Sequence, residues 1–87
     1  MNVVIYTRSW CGYCTRAKDL LARKKVPFRE IEISDDEALR DEMIERAGGR
    51  QTVPQIFIGE RHVGGCDDLY QLEAEGRLDA LLAEAGT

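Results

Sequence analysis

Two cysteines three positions apart, in Trp10-Cys11-Gly12-Tyr13-Cys14, are the residues of this chain best suited to chemistry. At that spacing a thiol pair can hold a metal, close a disulfide or exchange with an external one. The pair follows the β-branched, apolar run Val3-Val4-Ile5-Tyr6-Thr7 and opens a stretch of helical periodicity. Cys11 therefore falls at a strand-to-helix junction, with Cys14 one turn further on. A helix N-terminus offers unpaired N–H groups and the positive end of its dipole, both of which favour an anion. A thiol at such a position ionises more readily, which supplies thiolate but lowers its intrinsic nucleophilicity. The two effects nearly cancel for attack, and the remaining benefit is a better leaving group. Cys11 is thus expected to be both nucleophile and leaving group in thiol–disulfide exchange. Cys14, deeper in the helix and less exposed, is expected to be the resolving thiol.

A structural zinc site is the rival reading. Cys11, Cys14, His62 and Cys66 would supply four ligands at CxxC and HxxxC spacing. A CxxC that enters a helix directly after a strand is instead the redox context, and a chain of this size has enough core to fold without a metal. Cys66 reads as a small, buried or half-buried residue at a helix start, or as an oxidisable regulatory thiol. His62 reads as a strand residue, with no Ser or Asp spacing around it to suggest a triad.

The elements that position these residues follow from periodicity. A helix from Gly12, carrying Cys14, Ala17, Leu20, Leu21 and Lys24, stops before Pro27. Residues 28–33 form a second strand. Ser34 precedes Glu37 by three positions, as in a capping box, and opens a helix marked by Leu39, Met43, Ile44 and Ala47 that ends at Gly48-Gly49. Residues 54–58 and 62–64 form a hairpin about Gly59-Glu60-Arg61. Gly65-Cys66-Asp67-Asp68 opens a third helix, broken by Gly76. Leu78, Leu81, Leu82 and Ala85 share one face of a fourth. The order β-α-β-α-β-β-α-α gives an α/β fold, a four-stranded mixed sheet with helices on both faces. Periodicity leaves the strand order open.

With 87 residues, the chain fits one domain, 1–87. Its longest apolar runs are far too short to span a membrane. The start Met1-Asn2-Val3-Val4-Ile5 lacks a basic region and runs straight into a strand, so no signal peptide is expected and a soluble, cytoplasmic protein is. Three cysteines are too few, and odd in number, for a secreted disulfide framework. A net charge of −4 argues against nucleic acid as a partner. The charge is uneven: residues 7–25 hold six of the twelve basic residues and one of the sixteen acidic ones. Arg23, Lys24 and Lys25 are explained as complements to a helix C-terminus. Arg8, which precedes that helix, is not.

Taken together, YTRSWCGYC, TVPQIFIG and GGCDDL, in this order and spacing, resemble the three signature segments of the glutaredoxins, closest to the small bacterial dithiol members. The likeness runs from Val3 to about Leu82. It implies a thioredoxin-like fold and glutathione-dependent reduction of glutathione mixed disulfides and protein disulfides. It implies a cis Val53–Pro54 bond and a Thr52-Val53-Pro54 backbone that holds the cysteinyl unit of glutathione. Gly65, Cys66, Asp67 and Asp68 are implied to hold its γ-glutamyl end, Asp67 foremost, although Asp67 or Asp68 also suits a helix cap. Arg8 matches a basic position beside the nucleophile, and Tyr13 an aromatic that packs beside bound glutathione. Arg40, Arg50 and Gln51 are further candidates for the glycyl carboxylate.

The implied partners are glutathione and glutathionylated or disulfide-bonded proteins, met by a monomer, with no membrane or nucleic acid. Two positions depart from the commonest family pattern. Gly12 stands where many dithiol members have Pro, which loosens the turn and keeps an N–H within reach of a sulfur. Some glutaredoxins without that Pro assemble a [2Fe–2S] cluster between two protomers, held by each nucleophilic Cys and two glutathiones. Trp10 is also unusual, and its bulk is expected to screen or tune the site. A redoxin fed by thioredoxin reductase is disfavoured by the GGCDD segment.

Overall fold

A computed structural model describes residues 3–85. The elements are β1 (Val3–Thr7), α1 (Gly12–Arg23), β2 (Arg29–Glu32), α2 (Glu37–Arg46), β3 (Gln55–Ile58), β4 (Arg61–Gly64), α3 (Cys66–Ala74) and α4 (Leu78–Ala85). The sheet order is β2-β1-β3-β4, with β1 parallel to β2 and antiparallel to β3. This is the four-stranded mixed sheet with helices on both faces that the sequence implies.

β1 is an inner strand, which explains its unbroken apolar run. Its residues alternate between two cores. Val3 and Ile5 join Ile56 and Ile58 of β3 beneath Ala17, Leu20 and Leu21 of α1, Leu69 and Leu72 of α3, and Leu78 and Leu82 of α4. On the opposite face Tyr6 and Phe57 meet Ile33, Met43 and Ala47. This smaller core is reinforced by polar contacts to α2. The Tyr6 hydroxyl donates to Glu42 Oε2 at 2.6 Å, and Arg46 Nη1 donates to the Tyr6 oxygen at 2.7 Å. The Arg46 guanidinium lies 4.4 Å from the centroid of the Phe57 ring. Burial and the Glu42 bond push the Tyr6 hydroxyl's pKa up.

Several boundaries differ from the sequence reading. α1 ends at Arg23, because Lys25 turns left-handed (φ 59°) and its N–H closes back on the Ala22 carbonyl. Lys24 does more than offset the helix dipole: its ammonium reaches Glu73 of α3 at 2.7 Å and Asp79 of α4 at 3.0 Å. The cap of α2 is Asp36, whose carboxylate accepts the Leu39 N–H at 3.0 Å. Ser34, expected in that role, instead accepts the Ser9 N–H at 2.8 Å. β2 and β3 are shorter than expected at the N-terminal side, and β2 also ends before Ile33. Met1, Asn2 and the Ala85 side chain lie outside the described residues.

In the β3–β4 hairpin Phe57 pairs with His62 and Ile56 with Gly64, so Val63 is an extra residue on β4. As a direct cross-strand pair His62 and Phe57 share a face, with the rings stacked at 4.8 Å. Among the described residues no helix is long and apolar enough to cross a membrane.

Candidate active site

Cys11 is the N-cap of α1. Its backbone is extended (φ −108°, ψ 109°) and its sulfur occupies the place where a Ser or Asp oxygen usually caps a helix. The Cys14 N–H donates to Cys11 Sγ at 3.1 Å. The N–H that reaches the sulfur thus belongs to Cys14 rather than to Gly12, the residue expected to keep one available. Cys11 is half-buried, and its sulfur stands 3.9 Å from the Val53 carbonyl oxygen. Cys14 is 2% exposed. Burial first, then its hydrogen bond with Cys11, pushes the Cys14 thiol's pKa up to about 12. Both thiols are free. The arrangement presents one accessible sulfur with a donor already aimed at it, backed by a second thiol that stays protonated at neutral pH.

Beside them runs a groove of about 310 Å³, at the small end of the roughly 300–1,000 Å³ common for ligand sites. Tyr13, Thr52, Val53, Pro54, Gly65, Cys66, Asp67 and Asp68 line it, together with Arg50. The Val53–Pro54 bond is cis, as the family resemblance implied. Asp68 caps α3 from inside: its Oδ2 accepts the Gly65 N–H at 2.8 Å and pairs with Arg50 Nη1 at 3.1 Å. These two contacts, the backbone one foremost, hold its carboxyl pKa below the usual range. Asp67 stays exposed at the groove. Cys66, the first residue of α3, is buried, which pushes its thiol pKa up.

The remaining expected residues lie elsewhere. Arg8 lines a separate groove of about 460 Å³ with Trp10, Cys11, Cys14 and Lys18. It also lines a third groove with Arg40. Arg40 donates to Gln51 Oε1 at 3.2 Å, and neither of these residues reaches the groove beside Tyr13. Trp10 does not screen the sulfur: its side chain is fully exposed, on a left-handed backbone (φ 61°). The four residues of the zinc reading are not gathered. His62 Nε2 is bound to Gln55 Oε1 at 2.7 Å, and no group of three or more His, Cys, Asp or Glu among the described residues could hold a metal ion.

The sequence reading passed over Gln55. It is wholly buried, and its Nε2 donates to the Thr52 carbonyl oxygen at 3.0 Å and to Thr52 Oγ1 at 3.2 Å. A polar side chain in the otherwise apolar strand Gln55-Ile56-Phe57-Ile58 was the signal available for it.

A sequence model of the glutaredoxin family matches residues 3–63. The chain belongs to the glutaredoxins. It is 60% identical over 81 residues to a glutaredoxin of Pseudomonas aeruginosa, covering 93% of this chain and 95% of that protein. The buckwheat glutaredoxin–glutathione complex is similar in structure, with a TM-score of 0.87 at 33% identity, covering 97% of this chain and 78% of that one. A structure reported under the heading of metal binding of glutaredoxins is 63% identical, with a TM-score of 0.70, covering 93% of this chain and 87% of that one. Glutaredoxins are thiol oxidoreductases with a thioredoxin-like fold, and in this glutaredoxin the CxxC pair occupies the strand-to-helix junction of that fold.

Proposed function

We propose that this glutaredoxin is a glutathione-dependent disulfide reductase working through Cys11, with Cys14 as the resolving thiol. The observation that carries the reading is the half-buried Cys11 sulfur, held by the Cys14 N–H at 3.1 Å and 3.9 Å from the Val53 carbonyl at the edge of a peptide-sized groove. The buckwheat relative bound to glutathione supports the same occupant here. The cysteinyl backbone of glutathione runs along Val53. Its ammonium meets Asp67 and its α-carboxylate meets the start of α3.

The chemistry balances as two exchanges. Cys11 thiolate attacks the glutathione sulfur of a protein–glutathione mixed disulfide. The protein thiolate leaves and takes up a proton. A second glutathione thiolate then attacks the sulfur bound to Cys11, Cys11 leaves as thiolate, and glutathione disulfide departs. On a protein disulfide, Cys11 forms the mixed disulfide and Cys14 attacks the Cys11 sulfur, releasing the second substrate thiol. Two glutathiones then reduce the Cys11–Cys14 bond. Because Cys14 is buried and its thiol pKa is raised, it must give up its proton as it attacks. The substrates are glutathionylated and disulfide-bonded proteins, met by a monomer in the cytoplasm, with residues 1–87 as a single domain. The test is reduction of a small glutathione mixed disulfide, with glutathione and its reductase supplying electrons. Turnover that depends on glutathione is expected, and its absence overturns the reading.

A second reading is a [2Fe–2S] carrier. The 63% identical relative reported for metal binding favours it, as does glycine at position 12, where many dithiol members carry proline. Each protomer would contribute Cys11 alone, since Cys14 and Cys66 are buried. Two external thiols and a second copy would complete the four ligands. Anaerobic reconstitution with iron, sulfide and glutathione should then give a coloured dimer. A colourless monomer removes this reading.

A further inference from the structure

We infer that Gln55 is a positioning residue for the glutathione groove, with His62 locking the orientation of its amide. The Thr52 carbonyl oxygen can only accept, so the Gln55 atom 3.0 Å from it must be the NH₂ nitrogen. That nitrogen also serves Thr52 Oγ1 at 3.2 Å. Gln55 Oε1 then faces His62 Nε2 at 2.7 Å, which requires the His62 proton on Nε2. His62 is itself fixed by stacking on Phe57 at 4.8 Å, its direct cross-strand partner and so on the same face. A rigid β3–β4 hairpin thus reaches through one buried amide to the residue that begins the groove wall Thr52-Val53-Pro54. With the inward-facing acceptors of Thr52 occupied, the following Val53 backbone is left for the peptide. A buried amide this fully partnered has no alternative orientation of similar energy.

The inference rests on glutathione occupying that groove. Gln55→Met keeps the volume and removes all three bonds. Gln55→Glu keeps an acceptor for His62 but has no N–H for Thr52. Both should raise the apparent KM for glutathione about fivefold, the equivalent of about 1 kcal/mol, at unchanged kcat. The rate of Cys11 alkylation by iodoacetamide should not move. A Gln55→Glu protein with wild-type KM overturns the inference, and so does a loss of kcat that tracks a loss of Cys11 alkylation. Should neither variant fold, His62→Phe decides, since it keeps the ring on Phe57 and removes the N–H. A raised KM supports the assignment and an unchanged one removes it. A wild-type protein with no dependence on glutathione takes the reading of the groove down as well. A glutathione-saturable wild type beside unchanged variants takes down this inference alone.

Discussion

The main-chain N–H of Cys14 donates to the sulfur of Cys11, so one cysteine of the pair solvates the other. The contact uses the backbone of Cys14 and not its thiol. Cys14→Ser should therefore leave the Cys11 sulfur its donor and retain reduction of glutathione mixed disulfides, while losing most protein-disulfide reduction. Cys11→Ser should lose both. Steady-state rates on a small mixed disulfide and on a protein disulfide separate the roles. Loss of both activities in Cys14→Ser would show that the division is wrong.

The buried Cys14 thiol predicts a weakness in alkali. In the folded chain its pKa is about 12 against an ordinary 9.0, raised first by burial and then by its bond with Cys11. As pH rises the unfolded chain loses this proton first. The stability contributed by the neutral thiol is whole below pH 9.0 and is lost as pH climbs toward 12. Unfolding midpoints taken from about pH 8 to about pH 11 should fall for the wild type and fall less steeply for Cys14→Ala. Parallel curves would mean that the thiol titrates as it does in water.

Gly12 is the first residue of α1, where a proline is well accommodated. The preceding Cys11 is extended, as a residue before proline must be, and a Cβ on Gly12 meets nothing within 4 Å. Gly12→Pro should stabilise the fold by about 0.4–1 kcal/mol through the unfolded chain. Thermal denaturation should show a midpoint a few degrees higher. A lower midpoint would mean that the Gly12 N–H has a partner the geometry does not reveal.

Gly64 behaves in the opposite way. Its φ is +116°, and an added methyl would run into Asp68 Oδ2 and come within 2.7 Å of Arg50 Nη1. Gly64→Ala should displace the pair that borders the groove and destabilise the chain by about 1–3 kcal/mol. Chemical denaturation measures the loss, and the apparent KM for glutathione should rise with it. Wild-type values for both would show that Asp68 and Arg50 move aside freely.

Much of this was legible in the sequence, because periodicity reports burial and burial here is regular. The unbroken β-branched, apolar run Val3-Val4-Ile5-Tyr6 announced a strand buried on both faces, and three spaced segments announced the groove. Other features depended on distance in three dimensions. Ser34 and Asp36 are equally good caps by type, and only the path of the turn decides that Ser34 faces Ser9 while Asp36 takes the Leu39 N–H. Arg8, Arg40 and Arg50 are equally cationic, and only the fold brings Arg50 to Asp68. The link from His62 through Gln55 to Thr52 is a set of side-chain contacts between β4, β3 and the segment before cis-Pro54, which periodicity does not report.

The two faces of the sheet are unequally anchored. Three helices bury leucines on one face, whereas α2 sinks only Met43 completely, leaves Leu39 and Ile44 half-buried, and is tied down further by Glu42 and Arg46 around Tyr6. Its amides should exchange with deuterium sooner than those of α1, so α2 should be the first part of this protein to detach under mild denaturant. Opening there would spare the CxxC helix, which packs on the other side.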